Sequence, residues 1–279
     1  MSKIQVYQIC YLKEQLEKVK LPFVPYNNLE NLHPELCEYQ SFEPGQTYAL
    51  QHGLDLWGFV SPKFEAKTNI TGQQFIDFIE IDPNRADVYF INPTPINESL
   101  SPSVITQGEN CHPGLKDLIQ RNLNKMHISV DLNKLWMDSE TFALCNYFVG
   151  NKIFWKQYID FLKFFIDMVK TDSADYDMMF KTAAHYGPNA ALPYFTFVVE
   201  RLFSVFINTN HNIKVEHYRY TRDELLNKTK LPPHILDELR SLSDIKTAAI
   251  SGGRHELLEH YIFYRNRLAQ ANPYLFNLE

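Results

Sequence analysis

Four large apolar residues follow one another at Val88–Tyr89–Phe90–Ile91, behind Ala86–Asp87, and the run stops at Asn92–Pro93–Thr94–Pro95. A short β-branched and aromatic run closed by two prolines predicts a buried strand over 86–91. Residues 4–11 and Leu56–Val60 carry similar signals, the second ended by Ser61–Pro62, and 142–149 reads as another strand. Helical periodicity marks 71–80 and a stretch after His112–Pro113–Gly114. It is strongest over Lys152–Lys170, where Ile153, Phe154, Tyr158, Phe161, Leu162, Phe165 and Met168 share one face. A further helix is expected from Tyr194 to Phe206. Short strands alternating with helices predict an α/β layer architecture.

The remaining segments are less regular. Leu12 opens a short helix, 27–48 reads as loops around one or two short helices, and 96–112 as a polar loop. An edge strand is expected at 217–219, and Thr221 with Glu224 spells a capping box. Pro232–Pro233 opens one more helix and Gly252–Gly253 precedes a last one over 254–270. Without a repeat, a low-complexity linker or a compositional break, one α/β domain with a helix-rich C-terminal half is the simplest organisation.

Composition narrows the partners. The 279 residues carry 27 Lys plus Arg against 33 Asp plus Glu, a formal charge of -6. With no basic block, a nucleic-acid partner is not expected. Cys10, Cys37, Cys111 and Cys145 lie far apart and show no metal-ligand spacing, as in a reducing compartment. The first dozen residues give way to a stretch too polar for a signal peptide. Lys156, Asp160, Lys163 and Asp167, and then Glu200–Arg201, interrupt the two longest apolar stretches, so a soluble, cytoplasmic chain without a transmembrane segment is expected.

Several familiar signatures are missing: G-x-G-x-x-G, a Walker A loop and a G-x-S-x-G elbow. His255 and His260 flank a zinc-helix-like run, but at five residues apart they diverge by about 140° around a helix. A helix that binds zinc through two histidines needs them four apart.

The candidate residues are four groups, each with a plain packing alternative. Asp87 sits at the edge of the buried strand with Asn92 in the following turn, and it could meet a metal-bridged diphosphate or cap a turn. Asp55 beside Trp57 fits a sugar site, a carboxylate for hydroxyls and an aromatic face for C–H surface, and equally a buried Trp in the core. Asn146 could offer its amide and Tyr147 its ring, against ordinary strand-end packing. Glu200–Arg201 enters an almost wholly apolar helix, at a cost unless the pair is clamped together or faces a site. Adjacent helix positions diverge by about 100°, so one of the two could leave the core.

The segments VYQICY, DLWGFVSPKF, ADVYFINP, ALCNYFVGNKIFW and PYFTFVVERLFSVFI together resemble a group of bacterial glycosyltransferases of O-antigen and capsule synthesis, over roughly residues 4–207. The resemblance implies a GT-A-like fold: a Rossmann-like mixed sheet flanked by helices, with residues 1–150 binding a nucleotide sugar and 151–279 forming a helix-rich acceptor side. It implies transfer of a hexose from a nucleotide sugar, commonly UDP-linked, to a hydroxyl of a glycan or lipid-linked glycan. The enzyme would work at the inner face of the cytoplasmic membrane, in peripheral contact with it. In this reading Glu200, then Asp55, is the general base; Tyr7 and Gln8 present the nucleobase. Asp87, with Asn92, would hold Mn2+ or Mg2+, and Arg201 would meet the leaving group. Trp57, Asn146 and Tyr147 would contact the sugar. Relatives of this fold hold the metal with Asp-x-Asp, whereas Asp87–Val88–Tyr89 keeps only the first acid. The alternatives are a non-catalytic carbohydrate-binding or scaffold protein with a degenerate cleft, and a sugar-phosphate or nucleotide hydrolase.

Overall fold

The computed structural model describes residues 2–82, 84–186 and 190–277. Strands Ile4–Cys10 (β1), Val24–Asn27 (β2), Leu56–Val60 (β3), Val88–Phe90 (β4) and Phe148–Gly150 (β5) enter one sheet, which Val215–His217 (β8) completes. Their order is β2-β1-β3-β5-β4-β8. Strand Ala183–Tyr186 (β6) pairs antiparallel with Ala190–Pro193 (β7), apart from the main sheet. In the main sheet β5 runs antiparallel to both neighbours, and the other pairings are parallel. The carboxyl ends of β1, β2, β3, β4 and β8 therefore share one edge with the amino end of β5. In open α/β sheets that edge is where ligands bind.

The period of two along each strand sorts side chains into two layers. Tyr7, Ile9, Trp57, Phe59, Val88, Phe90 and Phe148 face helices Phe42–Gln51, Leu115–Lys125, Lys152–Lys170 and Tyr194–Thr209. Val6, Val60, Tyr89, Ile91 and Val149 face the other way, onto Phe64, Phe75, Ile76 and Ile79. The result is an α/β domain with a mixed sheet flanked by helices. The first layer is dense in rings: Phe148 stacks on Phe203 at 4.5 Å, and Trp155 Nε1 donates to the Trp57 carbonyl at 2.8 Å. Gly58 lets β3 and β5 approach, since a Cβ there would lie 2.1 Å from the Phe148 carbonyl oxygen.

Most expected elements appear near their predicted bounds, including the Thr221–Glu224 capping box, and Thr71 with Gln74 forms a second one that opens Gly72–Ile81. The strand expected over 142–149 shrinks to Phe148–Gly150, because 142–147 leaves the ladder at Cys145, whose φ is 67°. The loop expected at 96–112 contains helices Pro95–Leu100 and Val104–Cys111, the second capped by Ser103. A third cluster of Ile96, Leu100, Ile235, Leu239 and Tyr261 packs the C-terminal helices Pro233–Ser251 and Glu256–Ala271 against Pro95–Leu100.

His217, at the end of β8, is buried against Phe90; burial, then Arg219, hold its pKa down at about 4. An unfolded histidine titrates near 6.5. Below that pH the unfolded chain binds the extra proton, so stability is level above pH ~6.5 and falls as pH drops from ~6.5 toward 4. His112, also held down at about 4 by burial and Arg201, adds to the same slope. Urea melts of His217→Gln should show a shallower loss over this range than the parent, and an unchanged slope would contradict the assignment.

Candidate functional site

Apart from Arg201 and its last two residues, Asn208 and Thr209, the helix Tyr194–Thr209 is apolar except for a stripe repeating every fourth residue: Thr196, Glu200 and Ser204. Residues so spaced share one helix face. Ser204 Oγ accepts from the Ala143 amide at 2.9 Å, fixing the chain that leads to Cys145. Thr196 Oγ1 lies 3.0 Å from Cys37 Sγ. Cys37 kinks the Pro34–Ser41 segment, with φ 46° and ψ −131°. Side chains with φ in that range are strained, and such strain collects at functional sites. The kink and the Thr196 contact bring Glu38 close enough to Glu200 for the two charges to interact.

Burial first, and the Glu200 charge second, push the Glu38 pKa up, while Lys67 partly offsets the rise. A carboxyl raised in this way holds its proton more readily, which suits acid–base work. Arg201 holds Glu200 in place from behind: its guanidinium donates to Glu200 Oε2 at 2.9 Å, Gln107 Oε1 at 2.8 Å and the Phe197 carbonyl at 3.2 Å. Gly108 makes room for it, because a Cβ would lie 2.8 Å from Arg201 Nε.

The cations come from two other segments. Lys67 Nζ donates to Cys145 Sγ at 3.5 Å, and Lys228 Nζ donates to the Lys67 carbonyl. Burial, then Glu200, push the Cys145 thiol up to about 12, so it stays a neutral S–H and is no thiolate nucleophile. Beside it Asn146 is 7% exposed, and its Oδ1 meets no donor among the described residues. Such a buried acceptor costs free energy unless a ligand or water satisfies it. Tyr147 Oη shares a 2.7 Å hydrogen bond with Ser61 Oγ at the end of β3.

Of the residues singled out in the sequence, this edge gathers Glu200, Arg201, Asn146 and Tyr147, with Asn92 at the end of β4. Asn92 Oδ1 accepts from the Thr94 amide at 3.1 Å in a local turn. Gln8 is half-buried in β1. Four other expectations are corrected. Trp57 is fully buried and stacks on Trp155, so it offers no face to a sugar. Tyr7 packs among Tyr26, Tyr48 and Phe59 in the core layer rather than against a nucleobase. Asp55 and Asp87 precede β3 and β4 and so lie at the opposite edge from Glu200. The Asp55 carboxylate accepts from the Lys3 amide at 2.8 Å. Asp87 accepts from Asn151 Nδ2 at 2.7 Å and the Lys214 amide at 2.9 Å, tying β8 to β4. Nor does either member of the Glu200–Arg201 pair leave the core, with side chains 19% and 5% exposed.

The resemblance implied a metal at Asp87, and the residues there do not fit one. Both carboxylate oxygens are engaged, and among the described residues no three His, Cys, Asp or Glu side chains are grouped to hold a metal ion. The amino edge does carry a depression of about 630 Å3, lined by Asp55, Asp82, Arg85 and Asn151 over an apolar floor. Of its acids, Asp55 accepts from the Lys3 amide and Asp82 from those of Asn84 and Ala86. No family model, curated protein or solved structure matches the chain. No helix among the described residues is long and apolar enough to cross a membrane.

Sequence reasoning missed Cys37, Glu38, Lys67 and Lys228. The one local signal was the fourfold spacing of Thr196, Glu200 and Ser204, which pointed to a polar face needing partners.

Proposed function

We propose that the chain is a GT-A-like glycosyltransferase, moving a hexose from a nucleotide sugar, UDP-linked in the first instance, to a hydroxyl of a glycan acceptor. The observation that carries this reading is that Glu38, at the carboxyl edge of the sheet, lies within electrostatic reach of both Glu200 and Lys67. Glycosyl transfer asks for a base at the acceptor hydroxyl and positive charge near the departing diphosphate. In a single displacement the acceptor oxygen bonds to the anomeric carbon and its proton passes to Glu200. The anomeric C–O bond breaks with its electron pair on the diphosphate oxygen. Arg201 is a positioning residue for Glu200, and the unsatisfied Asn146 Oδ1 suits a sugar hydroxyl. A lipid-linked acceptor and a place at the inner face of the cytoplasmic membrane belong to the same reading.

The test is release of the free nucleotide, a nucleoside diphosphate from UDP- and GDP-linked sugars and CMP from CMP-linked ones, in a panel with glycan acceptors. Acceptor-dependent release from one donor is the expected result, and no release from any would overturn the reading. The misplaced Asp87 favours the rival, a sugar-binding protein without catalysis, which would show binding in the same panel and no release.

A further inference from the structure

Resting on that reading, we propose that the donor diphosphate is neutralised by a protein cation site, Lys67 with Lys228, and not by a metal on Asp87. The two lysines come from segments far apart in the chain. Lys67 lies in the short helix Phe64–Thr68 that follows the carboxyl end of β3, and Lys228 in Arg222–Thr229, which follows β8. Tyr220 Oη donates to the Thr68 carbonyl at 3.0 Å and Lys228 Nζ to the Lys67 carbonyl, so the second segment is fastened over the end of the first helix. Both ammonium groups sense Cys145, at the amino end of β5. Burial lowers the pKa of Lys228. A desolvated ammonium gains more from a phosphate than one in water does.

The acids Glu38 and Glu200 come from other segments, and both act on the neutral Cys145 thiol that Lys67 also contacts. A ligand anionic at one end and rich in hydroxyls at the other matches this division. An Asp87-bound metal would sit at the far edge, out of reach of a bond broken beside Glu200. Lysine supplies a point charge and up to three donors to phosphate oxygens.

Calorimetric titration of the full chain with inorganic pyrophosphate and with UDP, in EDTA, tests the site. Wild type should bind both without metal, and Lys67→Met should weaken each at least tenfold. Lys228→Met should do the same. Because it also removes a helix-end hydrogen bond, Lys228→Arg, which keeps charge and donors, should retain most of the binding. Thermal melts establish that each variant is folded. Absent pyrophosphate binding, binding lost in EDTA, or binding unchanged in Lys67→Met would overturn the proposal. Glu200→Gln separates the two readings: with one negative charge fewer beside the lysines it should bind pyrophosphate at least as tightly as wild type while losing transfer. If pyrophosphate binds through the lysines but no sugar is ever transferred, the transferase reading falls and the anion site stands.

Discussion

Glu200→Gln should lose at least a hundredfold in the rate of sugar transfer while remaining folded, with a lowered melting temperature because Arg201 loses its counter-charge. Positioned general bases contribute about 10²–10⁴ in rate, and glutamine keeps the shape and the Arg201 hydrogen bond while losing the basicity. Binding should change far less than turnover, because the proton is taken in the transition state. Glu200 is 19% exposed on its side chain, so it is partly reachable without being a surface group. Arg201→Met, by contrast, should lower both activity and stability, since it leaves Glu200 and Gln107 without their shared partner. An active Glu200→Gln enzyme would contradict the assignment of the base.

The largest expected loss of stability lies elsewhere, at Lys246→Ala. Lys246 is fully buried, 3.1 Å from Glu98 Oε1, and donates to the carbonyls of Glu98 and Ser101. Phe142 and Tyr261 flank its ammonium at 5.3 and 5.7 Å. Glu98, 5% exposed, takes a further bond from Ser243 Oγ at 2.6 Å. Removing one partner strands the other's charge out of water, at about 3–5 kcal/mol. Replacing both with neutral groups of similar volume, Lys246→Met with Glu98→Gln, should recover most of that loss. Equilibrium urea unfolding checks both. A single substitution costing under about 1 kcal/mol would mean that the pair is not buried as described. The pair joins Pro233–Ser251 to Pro95–Leu100, so its loss should loosen the C-terminal helices first.

The layered α/β architecture was legible because periodicity is local: the run at 86–91 and the apolar face of Lys152–Lys170 need no distant partner to be recognised. Strand β2 was hidden by Pro22 and Pro25. Pro25 is tolerated because β2 is an edge strand, where one side of the backbone needs no ladder partner. Which face of a strand meets the core is a weaker signal. Tyr7 and Trp57 stand one residue from positions on the opposite layer, and a period of two sends each ring into the thick aromatic core. Glu200 was legible as a charge in an apolar helix. Glu38 was not, because its place depends on a left-handed turn at Cys37 and on Thr196, 159 residues away in sequence from Cys37. Asp55 and Asp87 looked like Glu200 in the sequence, but strand direction puts them at the other edge, which only the topology reveals.

The central claim is that ligand binds where Glu38, Cys145 and Glu200 meet. Hydrogen exchange of the full chain, with and without UDP or the UDP-sugar that the panel selects, tests it most directly. Protection should appear over 36–40, 64–68, 143–147 and 196–204, and leave the amino edge unchanged. Protection confined to residues around Asp55, 80–86 and Asn151 would contradict it and place the site in the depression at the opposite edge of the sheet.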